Sequence, residues 1–143
     1  MAKMLLVGDG GVGKSSWVLG MSGEELDRRY IATKGIKKEM IEGMEMYDVG
    51  GQYKYNIDIE GEYEKIIIMF DVCNRLSFNN TGWWYSKVLK NLASGGSIVL
   101  CGAKEDHMAR KVSDEEISNV SEYYTKKCTI SSKNGTNMNA PFE

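Results

Sequence analysis

Residues 4–19 read Met4-Leu5-Leu6-Val7-Gly8-Asp9-Gly10-Gly11-Val12-Gly13-Lys14-Ser15-Ser16-Trp17-Val18-Leu19. The first four make an apolar run of the kind that forms a buried strand. Gly8 to Ser15 match G-x-x-x-x-G-K-[ST] in full, and Ser15 onward can open a helix. A glycine-rich turn could match such a pattern by chance, but the strand before it and the helix after it are the context a phosphate-binding loop needs. Glycines let the chain curl so that successive N–H groups point inward at phosphate oxygens. The helix N-terminus adds partial positive charge. Asp9, Gly10, Gly11, Val12, Gly13, Lys14, Ser15 and Ser16 are therefore expected to line a nucleotide polyphosphate. Lys14 would reach the terminal phosphates, and the Ser15 hydroxyl would sit on Mg²⁺.

Outward from this loop, strands and helices alternate. Lys3 to Val7 is the first expected strand and Lys14 to about Met21 the first helix. Ile36–Ile41 and Met44–Tyr47 flank Glu42-Gly43, which predicts a two-residue hairpin turn. Lys65–Asp71 and Ser97–Cys101 are buried strands, and Lys127–Ile130 is the last strand. Thr81 to Ala93 places Trp84, Val88, Leu89 and Leu92 at helical spacing. Trp83 and Trp84 read as core or helix-face residues, not as ligand-stacking ones. Ser113-Asp114-Glu115-Glu116 predicts a capping box opening a short helix. The alternation predicts a mainly parallel sheet with helices on both faces, with ligands at the carboxyl ends of the strands.

At 143 residues the chain suits one domain with a real core. Its 42% hydrophobic and 27% charged residues are ordinary for a globular protein. A net charge of -2 and the lack of a dense basic run argue against nucleic acid as a partner. No apolar stretch reaches the roughly 20 residues of a membrane span. The immediate entry into a strand leaves no room for a signal peptide, and there is no C-terminal cysteine to prenylate, so no membrane anchor is expected. Cys73, Cys101 and Cys128 are far apart, and Cys101 reads as a buried apolar residue. His107, the single histidine, cannot form a zinc site alone and reads as a surface residue.

Further motifs follow in order: Tyr30-Ile31-Ala32-Thr33-Lys34-Gly35, Asp48-Val49-Gly50-Gly51-Gln52, Ala103-Lys104-Glu105-Asp106 and Ser131-Ser132-Lys133. This set resembles the switch I, D-x-x-G-Q, N-K-x-D and S-A-K boxes of the Ras-like small GTPases. Within them it is most similar to the Ran group, which serves nuclear transport. The shared text includes L-V-G-D-G-G-x-G-K, I-I-M-F-D-V and I-V-L-C-G-x-K. The resemblance implies an α/β P-loop NTPase fold, a Ras-like three-layer sandwich on a mostly parallel six-stranded sheet, over residues 1–143 as a single domain. It implies GTP or GDP as ligand and Mg²⁺ as cofactor. It implies an exchange factor, a GAP and transport carriers as partners, in nucleus and cytoplasm. Thr33 matches the switch I threonine that binds Mg²⁺ and senses the γ-phosphate, beside Tyr30. Asp48 matches the carboxylate that holds the metal through water. Gly51 matches the glycine whose N–H meets the γ-phosphate, and Gln52 the residue that orients the attacking water. Lys104 would lie along the base, Asp106 would accept two hydrogen bonds from guanine, and Ser131, Ser132 and Lys133 would complete the base loop. Gln52, Lys14 and Thr33 are thus the expected catalytic residues.

Four departures accompany the likeness. Ala103 stands where the family has the asparagine that bonds the base and ties this loop to the phosphate loop. That loss should cost on the order of 1–3 kcal/mol. The segments from Thr33 to Asp48 and from Gln52 to Phe70 are shorter than in the Ran group. Leu26 stands where an aromatic residue lies beside guanine. Finally, the ten residues after Lys133 include Asn134, Gly135, Asn137, Asn139 and Pro141, which exclude a long helix. The family's C-terminal helix is therefore expected to be missing, and with it the cover of one sheet face. About 500 Å² of wet apolar sheet would forfeit on the order of 10 kcal/mol, comparable to a domain's whole stability of about 5–15 kcal/mol. Self-association over that face is one expected remedy.

Three functions fit unequally. One is a Ran-like switch that hydrolyses GTP slowly, without an obvious arginine in cis, since Arg28 and Arg29 read as surface charges. Another is a decoy that holds regulators or carriers without cycling. A P-loop nucleotide kinase would need an arginine-bearing lid and an acceptor pocket, and would leave Asp48 to Gln52 without a role.

Overall fold

The structure is a computed structural model that describes residues 2–22, 36–41, 43–50, 59–104, 109–131, 135 and 137–142. For Ser15, Leu19, Ser22, Lys37 and Glu39 only the backbone is described. Six strands form one sheet: β1 (Lys3–Val7), β2 (Ile36–Ile41), β3 (Met44–Val49), β4 (Tyr63–Asp71), β5 (Leu92–Ala103) and β6 (Lys126–Thr129). Their order is β2-β3-β1-β4-β5-β6. All neighbours run parallel except β2 and β3, which form the antiparallel hairpin read from the sequence, closing at Ile41 opposite Met44. The helices are α1 (Lys14–Ser22), α2 (Arg75–Asn79), α3 (Thr81–Val88) and α4 (Asp114–Ser118). The Ser113 hydroxyl accepts from the Glu116 N–H, and the Glu116 carboxylate accepts from the Ser113 N–H, so the predicted capping box is formed.

Two elements differ from the sequence expectation. The helix expected over Thr81 to Ala93 ends at Val88, and a 3₁₀ turn over Leu89–Asn91 leads straight into β5. Asn91 explains the stop. Its side-chain amide donates to the carbonyls of Ile59 and Gly61, at 3.0 and 2.9 Å, and so fixes the turn against the chain that enters β4. Leu92 then pairs with Tyr63 in the sheet, while Leu89 points outward, 45% exposed. The second difference is α2, a five-residue helix that the sequence reading lacks.

Side chains alternate across the central strands, as period two requires. Leu5, Val7, Ile66, Ile68, Phe70, Ile98 and Leu100 share one buried cluster with Trp84 and Val88 of α3 and Ile117 of α4. Met4, Leu6, Ile67, Met69, Val99 and Cys101 form the other, with Trp17 and Val18 of α1. The expectation of an uncovered sheet face is corrected here. Val99, Cys101, Ile67 and Met69 are all buried, and Met138 and Phe142 pack against their cluster. The segment 137–142, which ends in a 3₁₀ turn over Ala140–Phe142, lies on this face beside α1. Phe142 stacks on Trp17 with ring centroids 5.3 Å apart. The Trp17 indole N–H donates to the Met138 carbonyl at 2.9 Å, and the Lys65 ammonium donates to the Pro141 carbonyl at 2.8 Å. The apolar face on which expected self-association rests is thus covered by the chain itself.

Candidate functional site

The carboxyl ends of β1, β3, β4 and β5 converge on the loop between β1 and α1. Gly8 opens this loop at φ +149, and a Cβ there would run into the carbonyl oxygen of Met69 on β4. Only glycine permits so close a backbone approach at that angle. Gly13 closes the loop at φ +111, and α1 begins at once with the Trp17 N–H donating to the Gly13 carbonyl.

Lys14 folds back into this curl. Its ammonium donates to the carbonyls of Gly8 and Asp9, both at 2.8 Å, and the residue is only 6% exposed. Burial pushes its pKa down to about 8, against the pull of the Asp48 and Asp9 carboxylates, which favour the charged form. A cation so short of water gains from an incoming anion, which is the property a phosphate site needs. Asp48, buried at the carboxyl end of β3, supplies negative charge that the ammonium feels.

Lys104 follows β5 in the left-handed region, at φ +64. Its ammonium pairs with Asp71 at the end of β4, at 3.0 Å, and donates to the Gly11 carbonyl at 3.0 Å. One lysine thus joins two strand ends to the phosphate loop, the tie expected to be lost with Ala103. Ala103 is buried and faces Gly13, whose added Cβ would lie 3.4 Å from it. Ser131, also buried, follows β6, and the Ile130 N–H donates to the Gly102 carbonyl at 2.8 Å. The two expected base loops therefore leave the sheet side by side. Tyr30, Thr33, Gly51, Gln52, Asp106, Ser132 and Lys133 lie outside the described residues, as do Leu26, Arg28, Arg29 and His107. The Ser15 side chain is likewise outside the description.

A model of the Ras family matches residues 3–143. The chain belongs to the Ras family. It is a GTP-binding domain of the small-GTPase type, on the P-loop α/β fold expected from its sequence. Among the described residues, no helix is long and apolar enough to cross a membrane. For this Ras-family chain, sequence reasoning missed three polar residues around the loop. Asp71 accepts from Lys104 and from the Cys73 N–H. Asn80 and Trp84 donate to the Asp9 carboxylate. Asp71 could have been found from its place at the end of a buried strand, where such sheets hold ligands. Trp84 carried a weaker signal: a buried indole N–H needs a partner.

Proposed function

We propose that this chain is a Ran-type switch that binds GTP and GDP with Mg²⁺ and hydrolyses GTP slowly. The observation that carries this reading is the buried Lys14 ammonium, held on two loop carbonyls with its charge ready for phosphate. The Ran assignment is supported by the shared text quoted above, and exchange factor, GAP and carriers of the nuclear-transport type come with it. In hydrolysis, water attacks the γ-phosphate in line. Lys14 and the loop N–H groups stabilise the charge that develops, and Gln52 orients the water.

Among the described residues, no three His, Cys, Asp or Glu side chains cluster to hold a metal by themselves. Mg²⁺ does not require such a cage. It keeps waters and takes one carboxylate or so together with substrate phosphates. Asp48 fits that role through water, with Ser15 and Thr33 as the hydroxyl donors. When bound, the ion supplies positive charge to the phosphates.

Guanine should be preferred to adenine because Asp106 would lose its donors against adenine, and a carboxylate that gives up water without gaining a partner is costly. Competition against a fluorescent GTP analogue should show ATP weaker than GTP by about a hundredfold or more. Ala103→Asn should tighten guanine nucleotides by roughly 5- to 150-fold. Equal potency of GTP and ATP would refute the base assignment. The broader test is to purify the chain, denature it and identify any released nucleotide. GDP or GTP supports the switch.

Ala103 favours a second reading. The buried methyl against Gly13 has no amide to offer a base. A decoy with weak nucleotide affinity, engaging Ran-type regulators without cycling, would follow. Gln52→Leu separates the two. For a switch, single-turnover GTP hydrolysis by this variant should be at least about tenfold slower than by the parent. A decoy gives two rates equal to the protein-free control.

A further inference from the structure

Asp9 is the one charged residue between Gly8 and Lys14. A carboxylate at that place opposes phosphate unless its position is controlled, because like charges a few ångströms apart repel strongly away from bulk water. Here both oxygens are engaged from the region of α3. Oδ2 accepts from the Asn80 amide at 2.6 Å, and Oδ1 accepts from the Trp84 indole N–H at 3.0 Å. Asn80 sits at the junction of α2 and α3, and Trp84 is wholly buried, edge-on to Trp83 at 4.9 Å between centroids. The main-chain carbonyl of the same Asp9 receives the Lys14 ammonium. One residue therefore connects α3, by its side chain, to the phosphate-binding lysine, by its backbone.

We propose that Asp9, Asn80 and Trp84 form a latch that keeps the Asp9 carboxylate out of the phosphate space and fixes the peptide that positions Lys14. All three are positioning residues, and the proposal rests on the nucleotide-binding reading above. Nucleotide affinity is then set partly by α3, which contributes no group to the phosphates. Charge-assisted hydrogen bonds of this kind are about twice as strong as neutral ones, so loss of either donor should be visible.

A double-mutant cycle on the full chain tests this, read as affinity for fluorescent GDP with Mg²⁺. Trp84→Phe keeps a ring in the core and removes the N–H. Asn80→Ala changes a half-buried side chain and serves if the first variant does not fold. Each should weaken GDP about five- to tenfold in the parent, yet less than twofold when Asp9 is already Ala. Equal losses in both backgrounds would mean general damage to the core and overturn the latch. A second readout needs no nucleotide. The Trp84 indole N–H, assigned by Trp84→Phe, should exchange slowly with water in the parent and much faster in Asp9→Ala. If the parent binds no GDP, the functional reading fails and the indole signal alone decides: no change in Asp9→Ala overturns the latch.

Discussion

Lys14→Ala should weaken GTP and GDP binding by about two to four orders of magnitude while leaving the ligand-free chain folded. The two parts of this expectation have separate physical origins. In the complex, the ammonium makes at least two charge-assisted hydrogen bonds to phosphate, each contributing about 1.5–3 kcal/mol, or about 3–6 kcal/mol together. In the free chain, the same ammonium is a burden. Burial lowers its pKa from 10.5 to about 8, and a shift of that size corresponds to about 3 kcal/mol spent in keeping it charged at neutral pH. Alanine removes that burden along with the bonds to the Gly8 and Asp9 carbonyls, which water entering the loop mouth can replace. Titration with a fluorescent GTP analogue reads the first part, and a melt without nucleotide the second. An unchanged affinity would show that the nucleotide does not use this loop. A collapsed melt with lost binding would show that Lys14 is structural.

The legible parts of this chain are those whose signal is local. The strand–glycine turn–helix over residues 3–22, the β2–β3 hairpin and the Ser113 capping box are each specified within a few residues, and each has the backbone form expected of it. The central strands were legible because they are buried on both faces, so that Ile66 to Phe70 and Ile98 to Cys101 are unbroken apolar runs. The misread helix end shows where such signals stop. Leu89 and Leu92 continue the helical period of Trp84 and Val88, but period says nothing about where a helix ends. The stop is made by the Asn91 amide against Ile59 and Gly61, thirty or so residues away in the chain. Short α2 was illegible for another reason: five residues are too few to display a period. In the site, the motif residues were readable by type, whereas Asp71, Asn80 and Trp84 act through pairings that appear only once the strands are ordered.

The segment 137–142 shows the same limit and leads to the other large expected effect. Its composition excludes a long helix, and none forms. What composition could not convey is that the segment packs onto this face, where Trp17 meets it from the α1 side. Trp17 is wholly buried, stacked on Phe142 and bonded to the Met138 carbonyl. Gly20, one turn further along α1, has Met138 so close that a Cβ there would meet its methyl at 2.7 Å. Trp17→Ala removes the ring that both the helix and the segment rest on. Large-to-small changes of this type cost about 3–5 kcal/mol, a large part of the roughly 5–15 kcal/mol that holds a domain together. The melting temperature should fall by roughly 10–20 °C. Phe142→Ala, at a partly exposed ring, should cost less than half as much. The loss of cover has a second consequence, which separates this account from ordinary core damage. With the segment unseated, Val99, Cys101 and Ile67 gain a route to water, and the variant should associate through them while the parent stays monomeric. Light scattering alongside the melt reads both. A parent chain that associates as strongly as Trp17→Ala, or a variant that melts within about 2 °C of the parent, would show that residues 137–142 do not cover this face.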